Sequence, residues 1–168
     1  SMYIGFSEWN AEQIGSAIKI QDSKGYNRFV SSQPQYSMLW RVIESKVDPL
    51  CKAEGIGHIV WSPIAQGVLS GKYLPGKKAP KGTRATDTKG HGSKMIAGWM
   101  RDEVLTAVQK LVPIAQREGL TMAQLAIAWV LQNPNVSSAI IGATKSSQIK
   151  ENVKASGIKL SAETMRRS

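Results

Sequence analysis

Apolar residues along the chain fall in short runs separated by amphipathic stretches. Tyr3-Ile4-Gly5-Phe6 is a brief apolar run ahead of Asn10-Ala11-Glu12-Gln13, a spacing in which Asn10 caps a helix and Gln13 bonds back to it. Ile14, Ala17 and Ile18 then repeat at helical spacing and give that helix one apolar face. A second strand is expected from Phe29-Val30 through Gln33, and Val42, Ile43, Val47 and Leu50 mark a second helix. Pro49 either kinks that helix or starts a new one after Asp48. Gly55 reads as a helix stop before a third strand, Gly57–Trp61.

Farther along, Val104, Val108 and Leu111 mark one helix, and Thr121 opens another in which Thr121 and Gln124 repeat the capping spacing. Leu125, Ile127, Ala128, Trp129 and Leu131 supply its packing face, and Pro134 ends it. Residues 138–141 read as a fourth strand, with a helix from Ser147 through Ala155 stopped by Gly157. Leu160-Ser161-Ala162-Glu163 resembles the start of one more capped helix. Four strands with near-continuous apolar cores, each followed by helix, argue for an α/β fold with a parallel sheet and helices packed outside. A doubly wound open sheet and part of a (β/α)8 barrel both satisfy this alternation.

Composition narrows the class. The 168 residues are 42% hydrophobic with five Trp, enough for one domain with a buried core rather than a disordered chain. Cys51 is the single cysteine, which excludes a disulfide framework and a cysteine-built zinc site. No run of 18 apolar residues and no charged-then-apolar leader occurs, so a cytoplasmic protein without a membrane span is expected.

The formal charge of +10 is concentrated. Lys72, Lys77, Lys78, Lys81, Arg84, Lys89, Lys94 and Arg101 face a single acid, Asp87, so that stretch alone carries +7. With its many glycines, Pro75 and Pro80, the segment 71–99 reads as a long loop rather than a packed element. It is either an anion clamp or a solvated mobile loop. No aromatic residue interrupts the basic run between Lys77 and Lys94, so the stacking platform of a single-strand nucleic-acid site is missing, and no nucleic-acid partner is expected.

Familiar catalytic signatures fail in detail. Gly5-Phe6-Ser7-Glu8-Trp9 resembles a nucleophile elbow, but Trp9 stands where the tight turn needs glycine. Gly67-Val68-Leu69-Ser70-Gly71-Lys72-Tyr73 is one residue short of a P-loop and has Tyr73 in place of the magnesium-holding hydroxyl. Gly55-Ile56-Gly57 precedes a strand, the wrong place for a dinucleotide fingerprint. No His, Asp or Glu cluster has metal-ligand spacing.

In both architectures ligands bind at the carboxyl ends of the strands. Those ends carry Ser7 and Glu8, Gln33 and Tyr36, Trp61-Ser62-Pro63-Ile64-Ala65-Gln66, and Gly142-Ala143-Thr144-Lys145. A flat ring with a carboxamide, attached to phosphates, would use all these groups. The competing reading makes Trp61 a core residue and Ser62-Pro63 a plain turn.

Several stretches also carry a resemblance. Tyr3-Ile4-Gly5-Phe6-Ser7, the run from Ser32 to Ser37, the run from Trp61 to Tyr73, and Ile140-Ile141-Gly142-Ala143-Thr144 with Gln148, Glu151 and Asn152 are similar to the aldo-keto reductases, in order and with that family's spacing. The nearest branch is that of the potassium-channel β subunits and their bacterial relatives. The resemblance covers nearly the whole chain and implies a (β/α)8 barrel that binds NADPH at its strand ends. It implies that Ser7 and Gln33 hydrogen-bond the nicotinamide carboxamide and that Trp61 stacks on the ring. Ser62, Pro63, Ile64, Ala65 and Gln66 would lie along the pyrophosphate. Lys72 and Arg84 would reach down from the basic loop 71–99, acting as a strap. Gly142, Thr144, Gln148, Glu151 and Asn152 would take the adenosine end, with Thr144 and Arg84 near the 2′-phosphate, a charge-assisted contact that prefers NADPH to NADH. Glu8 departs from the Asn or Arg usual in relatives and is left outside the expected site.

The resemblance reaches only the second half of such a barrel, from its fifth strand onward. The family's catalytic Asp, Tyr, Lys and His all come from the first half, and Tyr36, Lys72 and His91 do not match them. Residues 1–168 are therefore expected to form a single partial domain, four βα units of a barrel that needs roughly 250 residues. Its outer strands would expose unpaired edges, which implies pairing with a second copy or an N-terminal half. The resemblance implies NADPH-dependent reduction of a small carbonyl substrate by the parent protein, with this chain inert by itself. The alternative is a non-catalytic half barrel that binds NADPH as a regulatory module.

Overall fold

A computed structural model describes residues 2–167 of the chain. The strands β1 (Ile4–Phe6), β2 (Phe29–Ser32), β3 (Gly57–Trp61) and β4 (Val136–Ile140) form one sheet, every neighbouring pair parallel. They lie side by side in chain order, β1-β2-β3-β4. A doubly wound sheet reverses its strand order at a switch point. The unbroken order here is instead that of a segment of a (β/α)8 barrel.

The capping signals hold. Helix α1 (Ala11–Lys24) opens on Asn10, whose side chain accepts from the Gln13 amide while Gln13 bonds back to the Asn10 N–H. Gly25 ends it with a left-handed φ of 66°, the conformation a side chain resists. The second helical region divides. A 3-10 turn covers Val42–Ser45, and α2 (Val47–Ala53) starts afresh with Pro49 in its first turn, where the missing N–H costs no bond.

The basic segment is more ordered than a plain loop. It holds a 3-10 turn at Arg84–Thr86, then α3 (Gly92–Ile96) and another 3-10 turn at Ala97–Trp99. Ile96 drives this, because it is buried in one core with Leu69, Tyr73 and Leu105. The helix expected through Leu111 is two, α4 (Asp102–Gln109) and α5 (Val112–Arg117), the second with Pro113 in its first turn. Helix α6 (Met122–Val130) carries the expected capping box of Thr121 and Gln124 and is apolar nearly all round, hence almost wholly buried. After β4 come α7 (Ser146–Asn152) and, past a 3-10 turn, α8 (Ala162–Arg167).

Side chains alternate across the sheet. Phe6 and Val60 point into cores built with the helices, Phe6 with Ile14, Ile18 and Cys51, and Val60 with Leu125 and Trp129. The opposite face is small where the strands crowd. A Cβ on Gly5 would stand 2.6 Å from the Ser31 carbonyl oxygen, and one on Gly57 would stand 2.6 Å from Ser137 Oγ. Among the described residues β1 pairs only with β2, and β4 only with β3, leaving both outer edges open. No described helix is long and apolar enough to cross a membrane.

Candidate cofactor cleft

The chain leaves β3 through an unusual turn. Ser62, Ala65 and Gln66 all have positive φ (55°, 46° and 58°), and Gly67 follows at 97°. Three non-glycine residues in that region cost of order 1 kcal/mol or more each and persist only where the surroundings enforce them. The enforcement is burial: Ala65, Val68 and Leu69 are sealed in a core with Ala126 of α6, and Tyr73 lies beside them. The polar residues of the turn are thereby left facing a cleft.

That cleft has a volume of about 640 Å³, within the range of small-molecule and cofactor sites. Trp61, Ser62, Pro63, Ile64 and Gln66 form one wall. Lys72 and Arg84 from the basic segment form a second, and Gly142, Thr144, Gln148 and Asn152 after β4 form a third. Eleven of the fifteen residues expected from the sequence thus line one cavity. Gly67, Ser70, Gly82, Thr83, Ala123 and the apolar Ile140 and Ile141 line it too, and were not expected.

Four expected residues lie outside the lining. Ala65 is buried, so only its backbone is available. Glu151 turns toward α6, where its carboxylate accepts from Gln124 Nε2 at 2.8 Å and pairs with Lys154 at 3.0 Å. Ser7 and Gln33 meet each other at the exposed ends of β1 and β2, the Ser7 hydroxyl donating to the Gln33 carbonyl at 2.7 Å. Gln33 in turn donates its N–H to Phe6 O at 2.8 Å, which fixes this pair to the sheet.

Glu8 joins that end to Trp61. One carboxylate oxygen accepts the Trp61 indole N–H at 2.9 Å and the Gln35 backbone N–H at 2.6 Å. The residue set aside from the sequence is therefore the one that orients the indole. No spacing signal marks it, because the two partners are 53 positions apart in the chain.

The cleft walls around Gln66 and Gln148 are held by short polar links. Gln66 Nε2 donates to Ser62 Oγ, and Gln66 Oε1 accepts from the Arg84 guanidinium. Gln148 Oε1 accepts from the Thr144 N–H at 2.8 Å and its hydroxyl at 3.3 Å, and from the Lys145 N–H at 3.2 Å, holding the entry to α7. Arg84 and Lys72 bring positive charge to the cleft, and among the described residues no carboxylate lines it. An aromatic face at one end, cations and hydroxyls in the middle, and amides at the other make a donor set that fits a dinucleotide phosphate.

The family model for the aldo/keto reductase family matches residues 2–168. The chain belongs to the aldo/keto reductase family. Curated relatives of this family member include a probable voltage-gated potassium channel subunit beta from Arabidopsis thaliana, 43% identical over 157 residues. A protein of the same description from Oryza sativa subsp. japonica is 41% identical over 157 residues, and a putative one from Schizosaccharomyces pombe is 40% identical over 160. Each match covers 92% of this chain but only 47%, 47% and 45% of those relatives, so the chain spans about half their length.

Tyr36 is buried, and its phenol is pushed up by burial and by donating to Glu44 at 2.8 Å. Among the described residues no group of three or more His, Cys, Asp or Glu could hold a metal ion.

Proposed function

We propose that this chain is the C-terminal, cofactor-holding half of an NADPH-dependent aldo-keto reductase that reduces aldehydes and ketones to alcohols. The observation that carries the reading is the single cleft joining Trp61, the strained turn from Ser62 to Gly67, Lys72 and Arg84 of the strap, and Thr144, Gln148 and Asn152. NADPH, when bound, supplies the hydride for carbonyl reduction. Trp61, its indole edge fixed by Glu8, would offer a face to the nicotinamide ring, and Ser7 and Gln33, linked to each other, would hold its carboxamide. Arg84 and Lys72 offset phosphate charge, and Arg84 with Thr144 selects the 2′-phosphate. Glu151 reaches the adenosine end only by releasing Gln124.

The proton donor and its partners belong to the other half of the barrel, so the chain alone binds but does not turn over. The open edges of β1 and β4 are where that half, or a second copy, completes the sheet.

A second reading has one observation in its favour: the curated relatives are described as channel subunits, not by a reaction. On that reading the cleft binds NADPH as a regulatory ligand.

The test has two stages. Titration of the chain with NADPH and NADH, followed by quenching of tryptophan emission, should show binding with NADPH preferred; no binding of either overturns the cofactor assignment. Co-expression with the N-terminal half of a relative should then restore aldehyde-dependent NADPH oxidation. Binding without turnover in that complex favours the regulatory reading.

A further inference from the structure

Arg84 is not a free cation on a loose loop. Its own turn is built: the Thr83 N–H donates to Thr86 Oγ1 at 3.2 Å, the Thr83 hydroxyl to Pro80 O at 2.8 Å, and the Asp87 N–H to Arg84 O at 3.1 Å. Asp87 closes the next turn by accepting from the Gly90 N–H at 2.8 Å. The aliphatic stem of Arg84 lies so close to Gly92 that a Cβ there would stand 2.9 Å from Arg84 Cγ. The guanidinium then crosses the cleft to Gln66 Oε1, and Gln66 Nε2 continues to Ser62 Oγ. The segment is also pinned where it leaves the turn, since Gln109 Nε2 donates to Gly71 O at 3.0 Å and Tyr73 O at 3.2 Å, and the Gly76 N–H donates to Asp102 Oδ1 at 2.9 Å.

The chemistry of the middle link matters. Glutamine accepts one guanidinium N–H and carries no charge, so it fixes Arg84 in place without cancelling its attraction for an anion. A glutamate in that position would hold the same geometry and neutralise the charge. An alanine would leave the charge but release the arm. Four of the five guanidinium donors stay available for a phosphate.

We infer that Gln66 is a positioning residue that holds the strap over the cleft before ligand arrives, and that it sets the preference for the 2′-phosphorylated dinucleotide through Arg84. This rests on the proposed cofactor reading for the identity of the ligand, but not for the bridge itself. The Ser62–Gln66–Arg84 chain prepays the ordering of the arginine, which would otherwise be charged against binding.

The experiment compares wild type, Gln66→Ala, Gln66→Glu and Arg84→Ala in the 168-residue chain, each first checked for an unchanged circular dichroism spectrum and melting temperature. Ligand-free protein is digested with trypsin, and cleavage after Lys77, Lys78 and Lys81 is followed by mass spectrometry. Dissociation constants for NADPH and NADH are then measured by calorimetry. Gln66→Ala should be cut in the strap several times faster than wild type and lose about twofold to tenfold in NADPH affinity, the cost of ordering one long side chain on binding. Gln66→Glu should keep wild-type resistance to trypsin, weaken both dinucleotides through their shared pyrophosphate, and cost NADPH about tenfold more than NADH, a split that a merely structural role would not produce. Equal NADPH-to-NADH ratios in wild type and both Gln66 variants overturn the inference, as does unchanged strap cleavage in Gln66→Ala. A wild type that binds neither nucleotide overturns the cofactor reading and the selectivity assigned to Gln66. The trypsin comparison then still decides whether the bridge exists.

Discussion

Replacing Asp48 with alanine removes the acceptor on which the buried amino-terminal end of β3 depends. His58 is fully buried there, and its Nε2 lies 3.0 Å from Asp48 Oδ1. A carboxylate can only accept, so Nε2 carries the proton and donates. Asn133 Nδ2 donates to the other oxygen at 3.2 Å, and Asn135 Nδ2 approaches Oδ1 at 3.4 Å. Asn135 has a second acceptor in the Ile56 carbonyl at 3.1 Å, so the change falls mainly on His58 and Asn133. An unsatisfied buried donor costs roughly 1–3 kcal/mol. Asp48 is itself one-fifth exposed, so water can recover part of that, and about 3 kcal/mol in total is expected. In a domain of this size each kcal/mol shifts Tm by roughly 2–4 °C, giving a fall of about 6–12 °C. Asp48→Asn keeps one acceptor and should lose about 1 kcal/mol.

The pH dependence supplies an independent check on the same site. Burial pushes the His58 imidazole below its ordinary value, opposed by the Asp48 carboxylate. Below about pH 6.5 the unfolded chain takes up a proton at this residue before the folded one does. Stability is therefore full above that pH and falls as pH drops, by at most ~1.4 kcal/mol per unit, until the folded-state imidazole protonates. Without Asp48 the opposing charge is gone, and the loss should continue to lower pH. Urea titrations of wild type and both variants from pH 7.5 to 5 measure both effects. An Asp48→Ala protein within about 0.5 kcal/mol of wild type, with the same acid limb, would refute the reasoning.

Gly5→Ala should destabilise by about 2 kcal/mol or more, read by thermal melting, because the new methyl meets the Ser31 backbone oxygen, which cannot rotate aside. Cys51 is fully buried and burial pushes its thiol up to about 11, so a disulfide reagent at pH 8 should label it only at the rate of unfolding, and faster labelling would show an opening the fold does not contain. Glu8→Ala frees the Trp61 indole and, on the proposed cofactor reading, should weaken NADPH and NADH alike by about fivefold to tenfold in calorimetry, since that reading stacks the ring on the part the two share.

How much could be read in advance follows the range of each interaction along the chain. The two capping boxes and the limits of β3 rest on residues three or four apart, and they were legible. The apolar residues mark β4 only at 138–141, yet pairing begins earlier, where the His58 N–H donates to Asn135 O at 2.8 Å. That start is set by a partner strand and leaves no local mark. The cleft walls at Trp61–Gln66 and around Thr144 were visible through the family's motifs. The side-chain links that organise them were not, because Glu8 to Trp61 and Gln66 to Arg84 join residues 53 and 18 positions apart. Ile96 shows the same limit, being one apolar residue in a basic glycine-rich run whose burial makes a helix of what composition alone reads as loop.

The side-by-side order of the strands bears on how the chain assembles as it is made. No strand waits for a later one to be inserted between two earlier ones, so each new βα unit has its docking edge ready when it leaves the ribosome. β1, β2 and β3 with their helices can therefore form a growing arc while the basic segment is still being synthesised. β4 follows the basic segment, and with it comes the third wall of the cleft, so the cleft is complete only once Gly142, Thr144, Gln148 and Asn152 have been made.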